Sequence, residues 1–323
     1  MSDRIAISNY LNLIVKVYLI GYSERGESIL ILFLDKGRQD KVVYSIVIDS
    51  FCYKGINKTK ELLQDYSVSQ IDMLCWSHPD EDHTKDMDVI INQYCNENTK
   101  IITPHGLNGK EYDVIDYNRG DKEIVNKIIK LNNRKKRTHC TASVAPQLFH
   151  PMNFVDFVDY SKEEVKVEVH ALSPHSPLIN ARIGKGKGIK KNELSIVLWV
   201  KIGSYSLLFC GDIENPEIAY LYNKPFEDPV LLKIPHHTSS SSEDLLNLIK
   251  SSSGNLCACT TIYKKYALPD ISLLNSYKKI FNQVHSTGTS KSRTCNFGII
   301  EYSFDFFNTM DISIRTEGHA YKC

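Results

Sequence analysis

The sequence predicts an α/β fold in which strands dominate two stretches of the chain and helices lie outside them. Three observations carry that expectation. Apolar runs rich in β-branched and aromatic residues recur at strand length, separated by polar or glycine-containing turns. The later runs alternate with segments whose apolar residues fall at helical spacing. Three of the apolar runs also end in side chains of metal-ligand type, which is hard to explain as three separate accidents. A chain of 323 residues exceeds the usual domain size, but large two-sheet folds stay as one unit. No repeat or low-complexity linker divides it, so residues 1–323 are expected to form a single domain.

Taken in order, Leu13 to Ile20, Ser28 to Asp35 and Val42 to Ile48 are strands joined by turns at Ser23 to Glu27 and Lys36 to Asp40. A helix pattern covers Ile56 to Tyr66, and the apolar segment Ile71 to Trp76 reads as a buried strand stopping at Ser77. Thr84 to Tyr94 reads as a helix burying Met87, Val89, Ile90 and Tyr94, and Thr99 to Thr103 as a short strand. Lys122 to Leu131 is helix-like and leads into the basic run Asn132 to Arg137, first a solvated helix end and only second a nucleic-acid contact. Strands follow at Val165 to Leu172, Asn192 to Leu198, Ser206 to Cys210, Pro229 to Pro235 and Leu256 to Tyr263. The glycine-lysine loop Arg182 to Lys191 separates the first two of these, as a mobile hairpin or a phosphate contact. Ser239 to Ser242 caps a helix over Glu243 to Lys250 with an acidic first turn, Ile271 to Phe281 is a further helix, and Gly298 to Phe304 with Asp311 to Arg315 forms a late hairpin.

Hydrophobic residues make up 42% of the chain, enough for a substantial core. A formal net charge of +1 excludes a global field that would steer the protein to nucleic acid or an anionic membrane. The nine cysteines show no disulfide-framework spacing. Cys75 and Cys210 lie inside apolar runs as buried thiols, and the close pair Cys257 and Cys259 is core rather than metal-binding. The start, Met1 to Tyr10, lacks the apolar core and cleavage site of a secretory signal. Leu11 to Ile20 is broken by Asn12 and Lys16 and is too short to span a bilayer, so the expectation is a cytoplasmic protein without a membrane segment.

The chemistry concentrates in Ser77-His78-Pro79-Asp80-Glu81-Asp82-His83, where a sharp turn at a strand's end can aim His78, Asp80, Asp82 and His83 at one spot. Imidazole with carboxylate suits a divalent cation that activates water. A solvated acidic turn is the bland alternative. It loses ground because two further strand ends repeat the design, one delivering Asp212 and Glu214 after Gly211, the other His236 and His237 after Pro235. No Ser-His-Asp arrangement and no glycine-rich phosphate loop competes.

The spacing His78-x-Asp80-x-Asp82-His83, then Gly211-Asp212-Ile213-Glu214, then Lys233-Ile234-Pro235-His236-His237, resembles the metallo-β-lactamase superfamily. The nearest likeness is to the hydrolase domain of the DNA-uptake protein ComEC and its free-standing relatives, which carry Asp at the position of Asp80. Val17 to Ile31, Ser45 to Ser50 and Asn192 to Leu198 resemble other strands of that family, so the likeness covers most of the chain. It implies a four-layer αββα sandwich. It also implies two divalent metal ions, Mn²⁺ or Zn²⁺: His78 and Asp80 at the first, Asp82, His83 and a histidine of the 236–237 pair at the second, Asp212 bridging. His236 is preferred as ligand and His237 as a neighbour contacting substrate oxygen, with their order open. Asp82 would also orient the attacking water or take its proton.

The implied activity is metal-dependent hydrolysis, first of all a phosphodiesterase or nuclease on nucleic acid or a nucleotide, with Lys185, Lys187, Lys190, Lys191 and Asn192 as substrate contacts. Two alternatives stand beside it: a small-molecule ester or lactone hydrolase, and a catalytically weak metal-binding component of a multi-protein system, such as anti-phage defence, with a protein partner. Two departures from the family pattern bear on these. Leu172-Ser173-Pro174 stands where relatives place Leu-His-Pro, and Tyr266-Ala267-Leu268-Pro269 where they place Tyr-Gly-His-Pro. Ser173 is a poor ligand, so the first ion is expected to bind weakly. His170 and His175 are its possible substitutes, although a surface or core histidine is the simpler account of both.

Overall fold

The computed structural model describes residues 13–104, 122–123, 126–127, 130, 139–142, 147–149, 157–158, 164–165, 167–175, 179, 188–221, 229–249, 256–289, 295–305 and 311–323. Lys185 and Lys187, the basic run 132–137 and the first ten residues lie outside them.

The strands run β1 (Leu13–Tyr22), β2 (Glu27–Asp35), β3 (Lys41–Ile48), β4 (Met73–Cys75), β5 (Lys100–Pro104) and β6 (His139–Ala142), then β7 (Gln147–Phe149), β8 (Phe157–Val158), β9 (Glu164–Val165), β10 (Val167–Ala171), β11 (Leu198–Ile202) and β12 (Tyr205–Phe209). β13 (Leu231–Lys233), β14 (Cys257–Thr260), β15 (Gln283–Ser286), β16 (Phe297–Asp305), β17 (Asp311–Gly318) and β18 (Tyr321–Lys322) complete the set. They form two mixed eight-stranded sheets, in the orders β17-β16-β1-β2-β3-β4-β5-β6 and β18-β15-β14-β13-β12-β11-β10-β7, with β8 and β9 as a separate pair.

Both sheets follow one plan. β1 to β3 pair antiparallel and β3 to β6 parallel; β10 to β12 pair antiparallel and β12 to β15 parallel. The carboxyl ends of parallel strands are where open α/β sheets place ligands, since the connecting loops splay apart there. β2 shows why the sequence gives this packing. All nine of its residues are buried, so both faces of Ser28-Ile29-Leu30-Ile31-Leu32-Phe33-Leu34 need a covering layer.

One face, with Ile29, Ile31 and Phe33, packs with Val15, Val17 and Leu19 against Val169, Val200, Leu207 and Phe209 of the other sheet. The opposite face, with Leu30, Leu32 and Leu34, clusters with Leu63, Met87, Ile90 and Ile91 from the helices Lys58–Asp65 and Met87–Tyr94. The second sheet's outer face carries Trp199, Leu208 and Leu232, clustered with Leu245, Ile249, Leu273, Leu274 and Tyr277 from the helices Leu245–Ile249 and Ile271–Tyr277. Cys257 and Cys259 fall in the cluster between the sheets, and Cys75 and Cys210 are also fully buried.

Three elements differ from the sequence expectation, one being the helix expected over Glu243 to Lys250, which begins only at Leu245 without an acidic first turn, after a 3₁₀ turn over Ser240–Ser242. The helix after the metal loop breaks into Glu81–Thr84 and Met87–Tyr94, because Asp86 between them takes a left-handed conformation at φ 66°. The strand expected at Asn192 to Leu198 is a 3₁₀ turn over Lys191–Leu194, and pairing starts only at Leu198. No helix among the described residues is long and apolar enough to cross a membrane.

Candidate metal centre

Six strand ends meet at one corner of the two sheets. Asp49 follows β3; His78, Asp82 and His83 follow β4; Asp212 follows β12; His237 follows β13; Thr261 follows β14; Glu27 opens β2. Tight left-handed turns make this possible. Gly211 (φ 52°) turns β12 toward Asp212, and Asp49, His236, His237 and Thr238 hold positive φ without being glycine. Such backbone costs about 1–3 kcal/mol per residue and concentrates at functional sites.

Each inner histidine has its Nδ1 tied down. Ser77 Oγ donates to Asp49 Oδ2 at 2.5 Å, so it accepts from His78 Nδ1 at 3.0 Å. Asp49 Oδ2 also accepts from His83 Nδ1 at 2.8 Å. Thr261 Oγ1 donates to Glu27 Oε2 at 2.5 Å and therefore accepts from His237 Nδ1 at 2.7 Å. With the rings neutral, as a bound ion requires, and the proton of each on Nδ1, three bare Nε2 atoms would face the interior of the corner. Nε2 of His78 and of His83, and Oδ1 of Asp212, are buried and make no hydrogen bond.

The spacing of these atoms has a definite shape. His237 Nε2 lies 3.2 Å from Asp82 Oδ2 and 3.5 Å from Asp212 Oδ2; His83 Nε2 lies 3.8 Å and 3.5 Å from the same two oxygens. Bonds of about 2.0–2.1 Å to a tetrahedral ion place donors roughly 3.3–3.4 Å apart, so these four distances among Asp82, His83, Asp212 and His237 lie near the spacing of one four-donor site. Lone pairs held this close repel each other unless a proton or a metal cation lies between them. The residues therefore fit a bound divalent ion. Glu27, His83, Asp212 and His237, all buried, are also within 4.8 Å of one another by their ligand atoms.

Electrostatics point the same way. Burial by itself would lower the His83 imidazole, but Asp212, Glu27, Asp82 and Asp49 raise it well above the ordinary histidine value. Burial would raise the Asp82 and Asp212 carboxyls, yet His83 and His237 hold both below the usual carboxylate range. His78, pushed down by burial and by neighbouring His83, drops to about 4. The corner is a pool of negative charge that attracts positive charge into a dry space.

Not every expected residue joins this set. His78 sits to one side, its Nε2 3.9 Å from Asp212 Oδ2 and its ring 4.2 Å from that of His83. Asp80 is turned away: its Oδ1 accepts from the Glu81 amide at 2.8 Å and from Lys191 Nζ at 2.9 Å, capping the short helix Glu81–Thr84. The order of the paired histidines is the reverse of the preferred one. His237 enters the cluster, whereas His236, on a left-handed backbone, sends Nδ1 to Ser241 Oγ at 2.8 Å and Nε2 to within 3.4 Å of Asn192 Nδ2. Ser173 is occupied as a structural tie, donating to Ser195 O at 2.6 Å and accepting from Val197 N at 2.8 Å. His170 packs on Trp199 and His175 stacks on Tyr220.

Sequence reasoning missed Glu27, Lys233, Thr261 and the orienting role of Asp49. Lys233 had a signal, as a lone charge inside the apolar run Val230-Leu231-Leu232-Lys233-Ile234. It is fully buried, 2.7 Å from Glu27 Oε1, 3.1 Å from Gly211 O and 3.5 Å from Asp212 Oδ1. Burial would strip its proton, but Glu27 and Asp212 hold the ammonium above the ordinary lysine value.

Around the mouth lie Arg25, paired with Glu81 at 2.6 Å and 3.4 Å from the Tyr263 hydroxyl, and Lys191. Tyr263 stands edge-on to His237 at 5.2 Å, and the exposed Tyr266 stands edge-on to Tyr263 at 5.0 Å.

No family model and no curated protein matches the chain. Among solved structures, one described as "a New Diphosphatase from the PhnP Family" aligns over 91% of this chain and 99% of its own, at 10% identity and a TM-score of 0.39. A likeness that distant assigns neither fold family nor function.

Proposed function

We propose that the chain is a metal-dependent hydrolase of metallo-β-lactamase type, acting on phosphodiesters as a phosphodiesterase or nuclease. The observation that carries this is the convergence of bare imidazole nitrogens on two buried carboxylates at metal-ligand spacing. The three hydrophobic clusters support the four-layer αββα arrangement that goes with it.

Asp82, His83, Asp212 and His237 would hold the principal ion, and His78 with Asp212 a weaker second one. A divalent cation there supplies Lewis acidity and a water acidic enough to attack at neutral pH. The protein's own part is positioning: Asp49, Ser77, Thr261 and Glu27 fix the imidazole tautomers and the direction of every donor. His236, beside the cluster and partly open to solvent, takes the substrate-facing place first given to His237. Arg25, Lys191 and Asn192 line the mouth with cationic and hydrogen-bonding groups suited to a phosphate, and exposed Lys190 adjoins them. Lys185 and Lys187 belong to the same proposed contact by sequence alone.

A second account has one observation in its favour. With Asp80 tied to Lys191 and Ser173 to the backbone, the second metal position is poor in donors, as in a binding component that has lost its activity. Elemental analysis of purified protein, followed by assay on a chromogenic phosphodiester with Mn²⁺ and with Zn²⁺, separates the two. Bound ion with turnover supports the hydrolase; bound ion without turnover on any phosphodiester leaves the binding component; no bound ion removes both.

A further inference from the structure

The buried Lys233 donates to Gly211 O at 3.1 Å at the end of β12, and both it and its partner Glu27 sit within reach of the metal ligands. By distance alone Glu27 qualifies as a ligand, since it belongs to the tight group with His83, Asp212 and His237. Its oxygens are committed elsewhere, however: Oε1 to Lys233 Nζ at 2.7 Å and Oε2 to the Thr261 hydroxyl at 2.5 Å. Lys233 Nζ also lies 3.5 Å from Asp212 Oδ1, the oxygen turned away from the three imidazoles, which approach Oδ2.

We propose that Lys233 is a built-in cation of the centre, a positioning residue that keeps Glu27 out of the ion's coordination and restricts Asp212 to one donor oxygen. The inference rests on the metal reading above and deepens it. An ammonium inside a ring of carboxylates lowers the negative charge the empty site must tolerate, and it does so without leaving. It also fixes donor number: four protein donors, with Glu27 held one hydrogen bond away as the partner of Thr261 and so of His237. Without Lys233, Glu27 Oε1 loses its nearest cation, leaving His83 Nδ1 at 3.8 Å, and it swings into the coordination sphere.

Cobalt(II) reads this directly, because its visible absorption weakens with each donor added beyond four. The experiment loads full-length protein with Co²⁺ and records the spectrum and the Kd for wild type, Lys233→Met, Glu27→Gln and the double variant. Wild type is expected to show the band set by four protein donors and the bound water. Glu27→Gln should keep that band while weakening Co²⁺ binding roughly ten- to a hundredfold, the range for losing an outer-shell partner. Lys233→Met should weaken the band as Glu27 joins, and adding Glu27→Gln should restore it; a purely structural lysine would leave band shape unchanged. If Lys233→Met does not fold, Glu27→Gln alone still decides, since a changed band there makes Glu27 a ligand and overturns the proposal. Wild-type protein that takes up no cobalt overturns the metal reading and this inference together.

Discussion

Three imidazoles share one corner, and each has its Nδ1 hydrogen bonded to a different oxygen, from Ser77, Asp49 and Thr261. At the residue scale this arrangement separates two neighbours that look equivalent in sequence. His237 is fully buried with Nε2 on Asp82, whereas His236 faces Ser241, Glu214 and Asn192. His237→Ala is expected to lose the ion and all turnover. His236→Ala should keep the ion and lose activity only in part, about the ten- to a thousandfold range typical of a single polar contact in a transition state. Metal content measured beside kcat checks both, and an ion lost from His236→Ala would reverse the assignment. The sequence could not separate the pair, because which residue points inward depends on three consecutive left-handed backbone positions at 236–238. Asp80 misled for a related reason. A carboxylate at the start of a helix is as well suited to capping an amide as to holding an ion, and here it caps.

Strand ends were legible because apolar runs give way there to polar side chains, although those side chains are themselves buried. The runs delivering Asp82, Asp212 and His237 therefore announced themselves, while Glu27 read as a turn residue and Lys233 as an interruption. The short strands β15 and β18 carried too little pattern to read. At this scale one packing detail gives a sharp test. Gly21 and Gly298 face each other across β1 and β16, directly under Thr287, which continues β15 of the other sheet. A Cβ on Gly298 would lie 1.9 Å from the Thr287 carbonyl oxygen, and one on Gly21 would lie 2.1 Å from the Thr287 hydroxyl. Gly298→Ala meets backbone, so it should destabilise by at least about 2–3 kcal/mol, the upper range for overpacking. Gly21→Ala meets mainly a side chain, and Thr287→Ala should recover part of its loss but none of the loss from Gly298→Ala. Urea denaturation of the four variants measures this, and equal recovery in both backgrounds would refute the geometry.

For the whole molecule, pH dependence follows from where histidines are buried. His285 on β15, pushed down to about 4 by burial and by Lys322, is buried and hydrogen bonded to the Tyr302 hydroxyl at 3.1 Å. An unfolded histidine takes its proton near 6.5, so between about 6.5 and 4 the unfolded chain binds a proton that the native one refuses. Its contribution to stability is complete above 6.5 and is lost as pH falls toward 4. His285→Gln should remove on the order of 1 kcal/mol of that acid-side loss, allowing for solvent screening. Melting temperatures of wild type and variant at pH 7 and pH 5, with chelator present in both, are the measurement. An unchanged difference between the two pH values would show that His285 does not control the acid limb.

The path of β16 has a consequence for how the protein is made. It returns from late in the sequence to pair with β1, so the first sheet stays incomplete until Phe297–Asp305 has left the ribosome. At roughly 5–20 residues per second, Leu13 to Tyr22 waits some tens of seconds with one whole edge of hydrogen-bonding groups unpaired. It is an apolar strand, and open apolar edges recruit other strands. Nascent chains of this protein are thus at their most aggregation-prone just before β16 emerges, and a chaperone that holds the early strands apart has its largest effect on yield in that interval.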